Sequence, residues 1–182
     1  MLDERAARKL LKSFGPPKEL IHHCEAVHDV CADFVTTLHS KDPAMKIDKN
    51  LVLVAALLHD IGRTKTNTIA HGVAGARIMR ELTANDEFQE KVARICETHI
   101  GGGITRAETV KLGLPSGDYV PKTLEEKIVA YCDNLVDEDG DKIVIREPDW
   151  VLKKYIAKHG KDAEPTRMVR ELNKFFETLL HN

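Results

Sequence analysis

The hydrophobic residues of this chain recur with the spacing of α-helices along most of its length. Between Pro17 and His39 the apolar positions alternate steps of three and four, which places them on one side of a helix. Comparable patterns predict further helices at residues 1–15, 69–82, 86–98, 105–112, 123–135, 149–159 and 164–180. Because only Lys142 to Arg146 has the composition of a strand, the pattern predicts an all-α protein.

The most strongly apolar stretch runs from Leu51 to Leu58 and ends abruptly in His59 and Asp60. Such a run predicts a helix that is buried on most sides, with Asp48 as its N-cap. An unpaired carboxylate at the end of a buried helix is costly, and a bound metal cation is one of the few partners that removes this cost. The pair is therefore interpreted as metal ligands. The alternative is a buried histidine beside an aspartate that accepts hydrogen bonds at the helix end.

Four other His and Asp residues are expected to face the interior from separate helices. His23 lies beside the apolar stripe of its helix, whereas His28 begins a polar turn. His71 opens a helix rich in Gly and Ala, which would allow another helix or a metal to approach closely. His99 ends a helix before three glycines, and Asp133 lies inside a helix among apolar neighbours. Together with the His-Asp pair, these residues form a candidate metal-binding set.

The composition indicates one domain with an ordinary core. A chain of 182 residues can bury roughly 70% of the surface of its unfolded state. The net charge of -2 gives no reason to expect nucleic acid or an anionic membrane as a partner. No stretch approaches the length of a membrane span, so we expect a cytoplasmic protein. The cysteines form no CxxC pair and are expected to be buried, reduced thiols: Cys24, Cys31, Cys96 and Cys132.

The order of the candidate ligands, H…HD…D, resembles the signature of the HD-domain superfamily. His71 in HGVAGA and His99 in THIGGG are similar to the additional ligands of members that bind two metals. The motifs HDIGR, HGxxGA and the CDN around Asp133 resemble the small stand-alone HDIG phosphohydrolases, a group that includes symmetrical dinucleoside tetraphosphate hydrolases. The resemblance extends from about Ile21 to Val136.

The resemblance implies a compact HD-domain helical bundle formed by residues 1–182, in which helices of the segment 137–182 complete the motif core. It also implies the ligand roles: His23, His59 and Asp133 would hold one metal, His71 and His99 a second, and Asp60 would bridge the two. Imidazole and carboxylate ligands suit divalent Fe, Mn, Co, Ni or Zn. Two such cations about 3.5–4 Å apart could hold a hydroxide between them and stabilise a phosphoryl oxygen, which is the chemistry of phosphoester hydrolysis.

Two cationic side chains directly follow the His-Asp pair and are the best candidates to bind phosphate oxygens, namely Arg63 and Lys65. With Asp60 they are the predicted catalytic residues. For both cations the alternative is an ordinary solvated loop charge. Arg106 and Lys122 are weaker candidates, for which a surface charge is the favoured interpretation.

These motifs favour a metal-dependent phosphohydrolase, either a phosphatase or a phosphodiesterase, with a small phosphorylated metabolite such as a nucleotide as its substrate. A di-iron oxygenase is an alternative, because the same six ligands would serve it. A non-catalytic nucleotide-binding module is a third possibility, but it would predict the loss of ligands, and no expected ligand is missing here. The C-terminal helices could also provide the face of a homodimer.

Overall fold

The computed structural model describes residues 2–82, 86–140 and 142–181, and this part of the chain is mainly helical. The helices are α1 (Glu4–Ser13), α2 (Lys18–Lys41), α3 (Lys49–Leu58), α4 (His71–Leu82), α5 (Glu87–Thr98), α6 (Arg106–Lys111), α7 (Leu124–Leu135), α8 (Pro148–His159) and α9 (Glu164–His181), with a 3-10 turn at Ile61–Thr64. The prediction of an all-α fold is confirmed. Among the described residues, no helix is long and apolar enough to cross a membrane.

Helix α3 is the centre of the bundle. Each residue from Leu51 to Leu58 is at most 5% exposed. Helices α1, α2, α5 and α7 surround it. The carboxylate of Asp48 accepts a hydrogen bond from the backbone N–H of Leu51 at 3.0 Å, which caps the helix as the sequence predicts. The apolar run therefore ends inside the protein, and His59 and Asp60, which directly follow it, lie in the interior as well.

Helix α2 packs its apolar stripe on α3, as expected, but His28 is not on a polar face. Only 8% of this residue is exposed, because α1 covers it. Its Nε2 lies 2.8 Å from the carboxylate of Glu4, and its Nδ1 lies 2.9 Å from that of Asp29. The sequence prediction for His28 was wrong, because it was made from the turns of α2 alone and did not include α1, which packs on them.

Glycines allow helix α4 to approach its neighbours closely. A Cβ atom on Gly62 would lie 1.9 Å from the carbonyl oxygen of His71, and one on Gly72 would lie 2.7 Å from that of Cys96. A Cβ atom on Gly75 would likewise lie close to the backbone nitrogen of Gly62. These contacts bring the turn after Asp60, the start of α4 and the end of α5 together, and each of these segments carries one of the candidate ligands.

A β-hairpin follows α7. Its strands are β1 (Val136–Asp139) and β2 (Lys142–Ile145), antiparallel and paired from Val136 with Ile145 to Asp139 with Lys142. The sequence predicted the second strand and placed only a helix end in the first, because its residues VDED are short and charged. Asp141, which was expected in the same turn, lies outside the described residues.

The last two helices cover the other side of the core. Phe176 of α9 is fully buried, and its ring lies 5.1 Å from that of Phe34 and 4.7 Å from that of Tyr131. The cysteines are all buried and free, as expected.

Replacing Gly62 tests the close contact between the 3-10 turn and α4. The Gly62→Ala substitution should lower the free energy of unfolding by about 3 kcal/mol, because its methyl group would collide with backbone atoms that cannot rotate away. Gly113→Ala is the matched control, since it has a φ of 67° but no neighbour within 4 Å, and it should cost about 1 kcal/mol. Urea denaturation measures both. An equal loss in the two variants would contradict the contact.

Candidate metal centre

The six predicted ligands lie together at the C-terminal end of α3, although they come from five separate segments. His23 belongs to α2, His59 and Asp60 follow α3, and His71 begins α4. His99 directly follows α5, and Asp133 lies in the last turn of α7. Their nitrogen and oxygen atoms form overlapping groups of three in which all ligand atoms are within 4.8 Å of one another. The structure therefore contains a cluster of His and Asp side chains that can hold metal ions.

The two oxygens of Asp60 face different members of this cluster. Oδ1 lies 3.1 Å from Nε2 of His71 and 3.4 Å from Nε2 of His99. The two imidazole nitrogens are themselves 3.1 Å apart. These three atoms converge on one point from three segments of the chain, and we call them the Oδ1 group.

The other oxygen, Oδ2, faces the remaining ligands. It lies 3.7 Å from Nε2 of His23 and 3.8 Å from Nε2 of His59. Oδ1 of Asp133 is 3.0 Å from the first of these nitrogens and 3.3 Å from the second. These four atoms form the Oδ2 group. Asp60 is thus shared by two groups of ligand atoms.

Three of the histidines are oriented by the same local hydrogen bond. In His59, His71 and His99, Nδ1 lies 2.7, 2.8 and 2.8 Å from the carbonyl oxygen three residues earlier, which belongs to Ala56, Thr68 and Cys96 respectively. Because a carbonyl oxygen only accepts, each Nδ1 must carry the proton and donate it. In the neutral ring, Nε2 then has a free lone pair directed into the cluster, which is the state that a metal ligand requires.

Asp60 shows that this cluster fits a cation. The residue is 2% exposed, and within the described part of the chain its Oδ1 is a buried atom without a hydrogen-bond partner. The nearest polar atoms are the Nε2 lone pairs of His71 and His99, which face it and each other. Three acceptors this close repel one another unless a positive charge lies between them. Nitrogen and carboxylate oxygen are also the donor types that divalent transition metals bind.

The pKa values reflect the same balance of charges. Burial alone would raise the pKa of Asp60, but the nearby imidazoles, His59 above all, keep the pKa of this carboxyl well below its usual range. Burial favours the neutral form of His59, yet the nearby charges of Asp60 and Asp133 outweigh it and raise the pKa of His59 to about 9. Without a metal, a proton on His59 partly balances the two carboxylates, and a bound cation would replace it.

A cavity of about 330 Å³ opens beside the Oδ2 group. It is lined by Glu19, Leu20, His23, Asp60, Arg63, Val136, Asp137 and Glu138. Nε of Arg63 donates a hydrogen bond to Oδ2 of Asp60, while the rest of this half-exposed side chain faces the cavity. The sequence predicted Arg63 near the site but missed Glu19, Asp137 and Glu138, because this wall forms only where the hairpin after α7 lies beside the start of α2.

The other candidate cations lie elsewhere. Nζ of Lys65 is 5.6 Å from the centre of the Phe14 ring, and this residue does not line the cavity. Arg106 is exposed at the start of α6, and Lys122 pairs with Asp118 at 3.2 Å. The structure therefore brings Arg63 to the site, while a catalytic role of Lys65 stays a prediction without a supporting contact.

Asn134, next to Asp133, links two of the ligand-bearing segments. Its side-chain nitrogen donates to the carbonyl oxygen of Gly101 at 2.9 Å. Gly101 belongs to the glycine turn after His99, and its φ of 61° suits glycine. This hydrogen bond connects the end of α7 to the turn after α5, so it helps to fix the positions of Asp133 and His99 relative to each other.

A helical bundle that gathers His and Asp side chains at the ends of its helices, with their ring nitrogens turned inward, is a metal-binding protein by its architecture. Residues 20–136 match the HD domain. The chain belongs to this family, and the matched segment contains all six residues of the cluster. No solved structure is significantly similar to the chain.

Several relatives share most of this chain. It is 44% identical over 163 residues to an uncharacterized protein of Methanocaldococcus jannaschii, and the match covers 90% of each. A tRNA (cytidine(56)-2'-O)-methyltransferase of Picrophilus torridus is 45% identical over 161 residues, which are 88% of this chain and 43% of that protein. The corresponding methyltransferase of Thermoplasma volcanium is 38% identical over 178 residues, with 98% and 48% covered. The chain spans less than half the length of these two methyltransferases.

Metal binding should stabilise the folded protein, because the cluster exists only in the native state. We expect Mn²⁺ at about one hundred times its Kd to raise the Tm of chelator-treated protein by about 5–10 °C. Asp60→Asn should lose most of this increase, since it removes the charge shared by both groups. Asp33→Asn, an exposed position on α2, is the control and should keep it. Scanning calorimetry with and without Mn²⁺ measures the shift, and an undiminished shift in Asp60→Asn would contradict the assignment.

Proposed function

We propose that this chain is a metal-dependent phosphohydrolase that cleaves a phosphoester or phosphoanhydride of a small metabolite, with a nucleotide as the expected substrate. The observation that carries the proposal is the division of Asp60 between two ligand groups, next to a cavity that also contains Arg63. Membership of the HD domain family supports it. A bridging carboxylate between two imidazole-rich groups is the arrangement that a pair of cations needs to act on one phosphoryl group.

The proposed metal ligands follow the two groups. His23, His59, Asp133 and Oδ2 of Asp60 would hold one divalent metal ion, and His71, His99 and Oδ1 of Asp60 would hold the other. The donor set suits Fe, Mn, Co, Ni or Zn. When bound, the metals would lower the pKa of a water molecule and neutralise the charge that develops on the phosphoryl oxygens.

The remaining steps belong to the protein. Arg63 would bind a non-bridging phosphoryl oxygen with the guanidinium N–H groups that do not contact Asp60. A water oxygen forms a bond to phosphorus, and the bond from phosphorus to the leaving oxygen breaks. The leaving oxygen keeps that electron pair and takes up a proton, which balances the proton that the attacking water gives up. Because water is the nucleophile, no serine or cysteine has to form a covalent intermediate.

The named relatives suggest a second candidate substrate. Two proteins called tRNA methyltransferases contain a segment similar to nearly all of this chain. If this chain shares an RNA substrate with these proteins, that substrate would be a phosphoester at the end of an RNA. We favour the small nucleotide, because the net charge of -2 offers no bulk attraction for a polyanion. A panel that contains mononucleotides, cyclic nucleotides and short RNAs with terminal phosphates separates the two.

The oxygenase alternative differs in its co-substrate. The same ligands could hold two iron ions, so the ligand set alone does not separate it from a hydrolase. Oxygen uptake during turnover would identify an oxygenase, whereas release of phosphate or a phosphomonoester without oxygen uptake would identify the proposed hydrolase. A non-catalytic module would bind nucleotide and show neither.

The number of metal ions tests the division of the cluster. Anaerobically purified wild-type protein should contain two transition metals per chain, and His71→Ala should contain about one, because it removes a ligand of the Oδ1 group only. His181→Ala, at an exposed position of α9, should retain both. Elemental analysis makes the count. At most one metal in wild type after reconstitution with Mn or Fe, unchanged by His71→Ala, would refute the two-metal assignment.

Arg63 is expected to stabilise charge on the phosphoryl group. Arg63→Ala should lower kcat/KM for the best substrate by about 100-fold, because it removes a charge-assisted donor that faces the cavity. Its metal content should stay at the wild-type value. Arg77→Ala, on the exposed side of α4, is the matched control and should keep full activity.

Lys65→Ala in the same assay decides the role of the second predicted cation. Its side chain lies over Phe14 and outside the cavity lining, so we expect less than about a threefold effect, as for other exposed charges. A loss as large as that of Arg63→Ala would restore Lys65 to the catalytic residues.

A further inference from the structure

The walls of the cavity beside the metal centre carry an excess of negative charge. Glu19, Asp137 and Glu138 line it together with Asp60, while Arg63 is the only cation among its lining residues. Glu19 lies in the first turn of α2 and Glu138 lies in β1, so the acids come from separate parts of the chain. Asp60 also lines this cavity, and it is almost fully buried, with an Oδ1 that has no hydrogen-bond partner in the described part of the chain. The acidic wall limits which ligand the cavity can bind.

One of the three wall acids is already neutralised. Asp137 is bonded to Nζ of Lys154 through Oδ1 and lies 3.3 Å from Nε of Arg146 through Oδ2. Both cations come from the segment after the hairpin turn, and the Arg146 guanidinium stacks over the Trp150 ring at 4.3 Å. Asp137 is thus held as part of the wall. It is not free to bind a substrate hydroxyl or to repel an anion.

Glu19 and Glu138 differ from Asp137. Both side chains are exposed, and within the described part of the chain neither forms an ion pair within 4.0 Å. They therefore present two uncompensated carboxylates at the opening, whereas Arg63 is at the inner end beside Asp60. A substrate whose phosphoryl group lies at the metal centre must extend past these carboxylates.

We propose that Glu19 and Glu138 are specificity-determining residues, and that they select a phosphate monoester of a neutral, hydroxyl-bearing alcohol, such as a sugar or nucleoside, over any polyphosphate. This inference rests on the proposed phosphohydrolase function. A carboxylate accepts hydrogen bonds from the vicinal hydroxyls of a sugar, as acidic residues do with ribose in dinucleotide-binding proteins. No aromatic side chain lines the cavity among the described residues, so recognition by hydroxyl groups replaces base stacking.

The negative charge of the cavity wall determines which of the two substrate classes is favoured. The terminal phosphoryl group of a polyphosphate would occupy the same place as that of a monoester, but its further phosphates would lie along the acidic wall. Each added negative charge would meet two carboxylates and no free cation. At separations of several ångströms in water, these repulsions together amount to about a five- to tenfold difference in binding, and salt reduces it.

The test compares a nucleoside monophosphate with the corresponding triphosphate on the metal-loaded full chain. Wild type should have the larger kcat/KM for the monophosphate. In Glu19→Gln/Glu138→Gln, the ratio of kcat/KM for triphosphate to that for monophosphate should rise by about five- to tenfold at low salt and by less at high salt. Its KM for the monophosphate should also rise, because each amide keeps only one uncharged acceptor oxygen for the sugar hydroxyls, where the carboxylate has two charged ones. Glu171→Gln, an exposed position on α9, should leave the ratio unchanged.

A binding measurement separates this inference from the proposed function. Competition between inorganic phosphate and tripolyphosphate for the metal-loaded protein reports anion selection without catalysis, and the double variant should shift the ratio of their Kd values in the same direction. If no phosphoester is hydrolysed but this ratio shifts, the proposed function fails and the acidic selection stands. If hydrolysis occurs but neither ratio changes, or wild type prefers the triphosphate, the acidic selection is overturned.

Discussion

Two carboxylates placed at the inner end of an apolar helix are the constraint on which this structure depends. Asp60 is almost fully buried, and Asp133 lies next to it within hydrogen-bonding distance of two imidazoles. Charges in such a place must be compensated, and the segments of the chain that converge there supply four imidazoles and a guanidinium. The small residues of α4 and the glycine turn after α5 serve this convergence, because each brings one ligand-bearing segment close to another.

The orientation of the imidazoles is built locally, before any long-range contact is considered. Each of three histidines bonds a carbonyl oxygen three residues earlier, at or next to a helix end, where carbonyl and N–H groups are not all used by the helix itself. The ring is thus held in a fixed tautomer by its own segment. The tertiary fold then only has to bring preoriented rings together, which lowers the cost of ordering them around a cation.

The sequence predicted the helices well, and it named six residues that the structure brings together, because both rest on local patterns. A run of eight apolar residues can hardly be anything but buried, and a charged pair at its end requires a partner. The burial of His28 could not be predicted in this way, since it arises from α1 packing across α2. Strand β1 was missed because its charged residues form a strand only through pairing with β2. The acidic cavity wall forms where β1 lies beside the start of α2, and no local pattern connects Glu19 with Glu138.

The cavity wall also shows how this chain divides its tasks. The six clustered ligands all lie within the segment that matches the HD domain, whereas Asp137 and Glu138 lie just beyond it and the side chains that anchor Asp137 lie further along the chain. Evolution can therefore alter the hairpin and α8 while the metal centre keeps its geometry. A short stretch of sequence outside the cluster thus shapes the cavity wall, and an engineer who wishes to change what the cavity accepts would begin there.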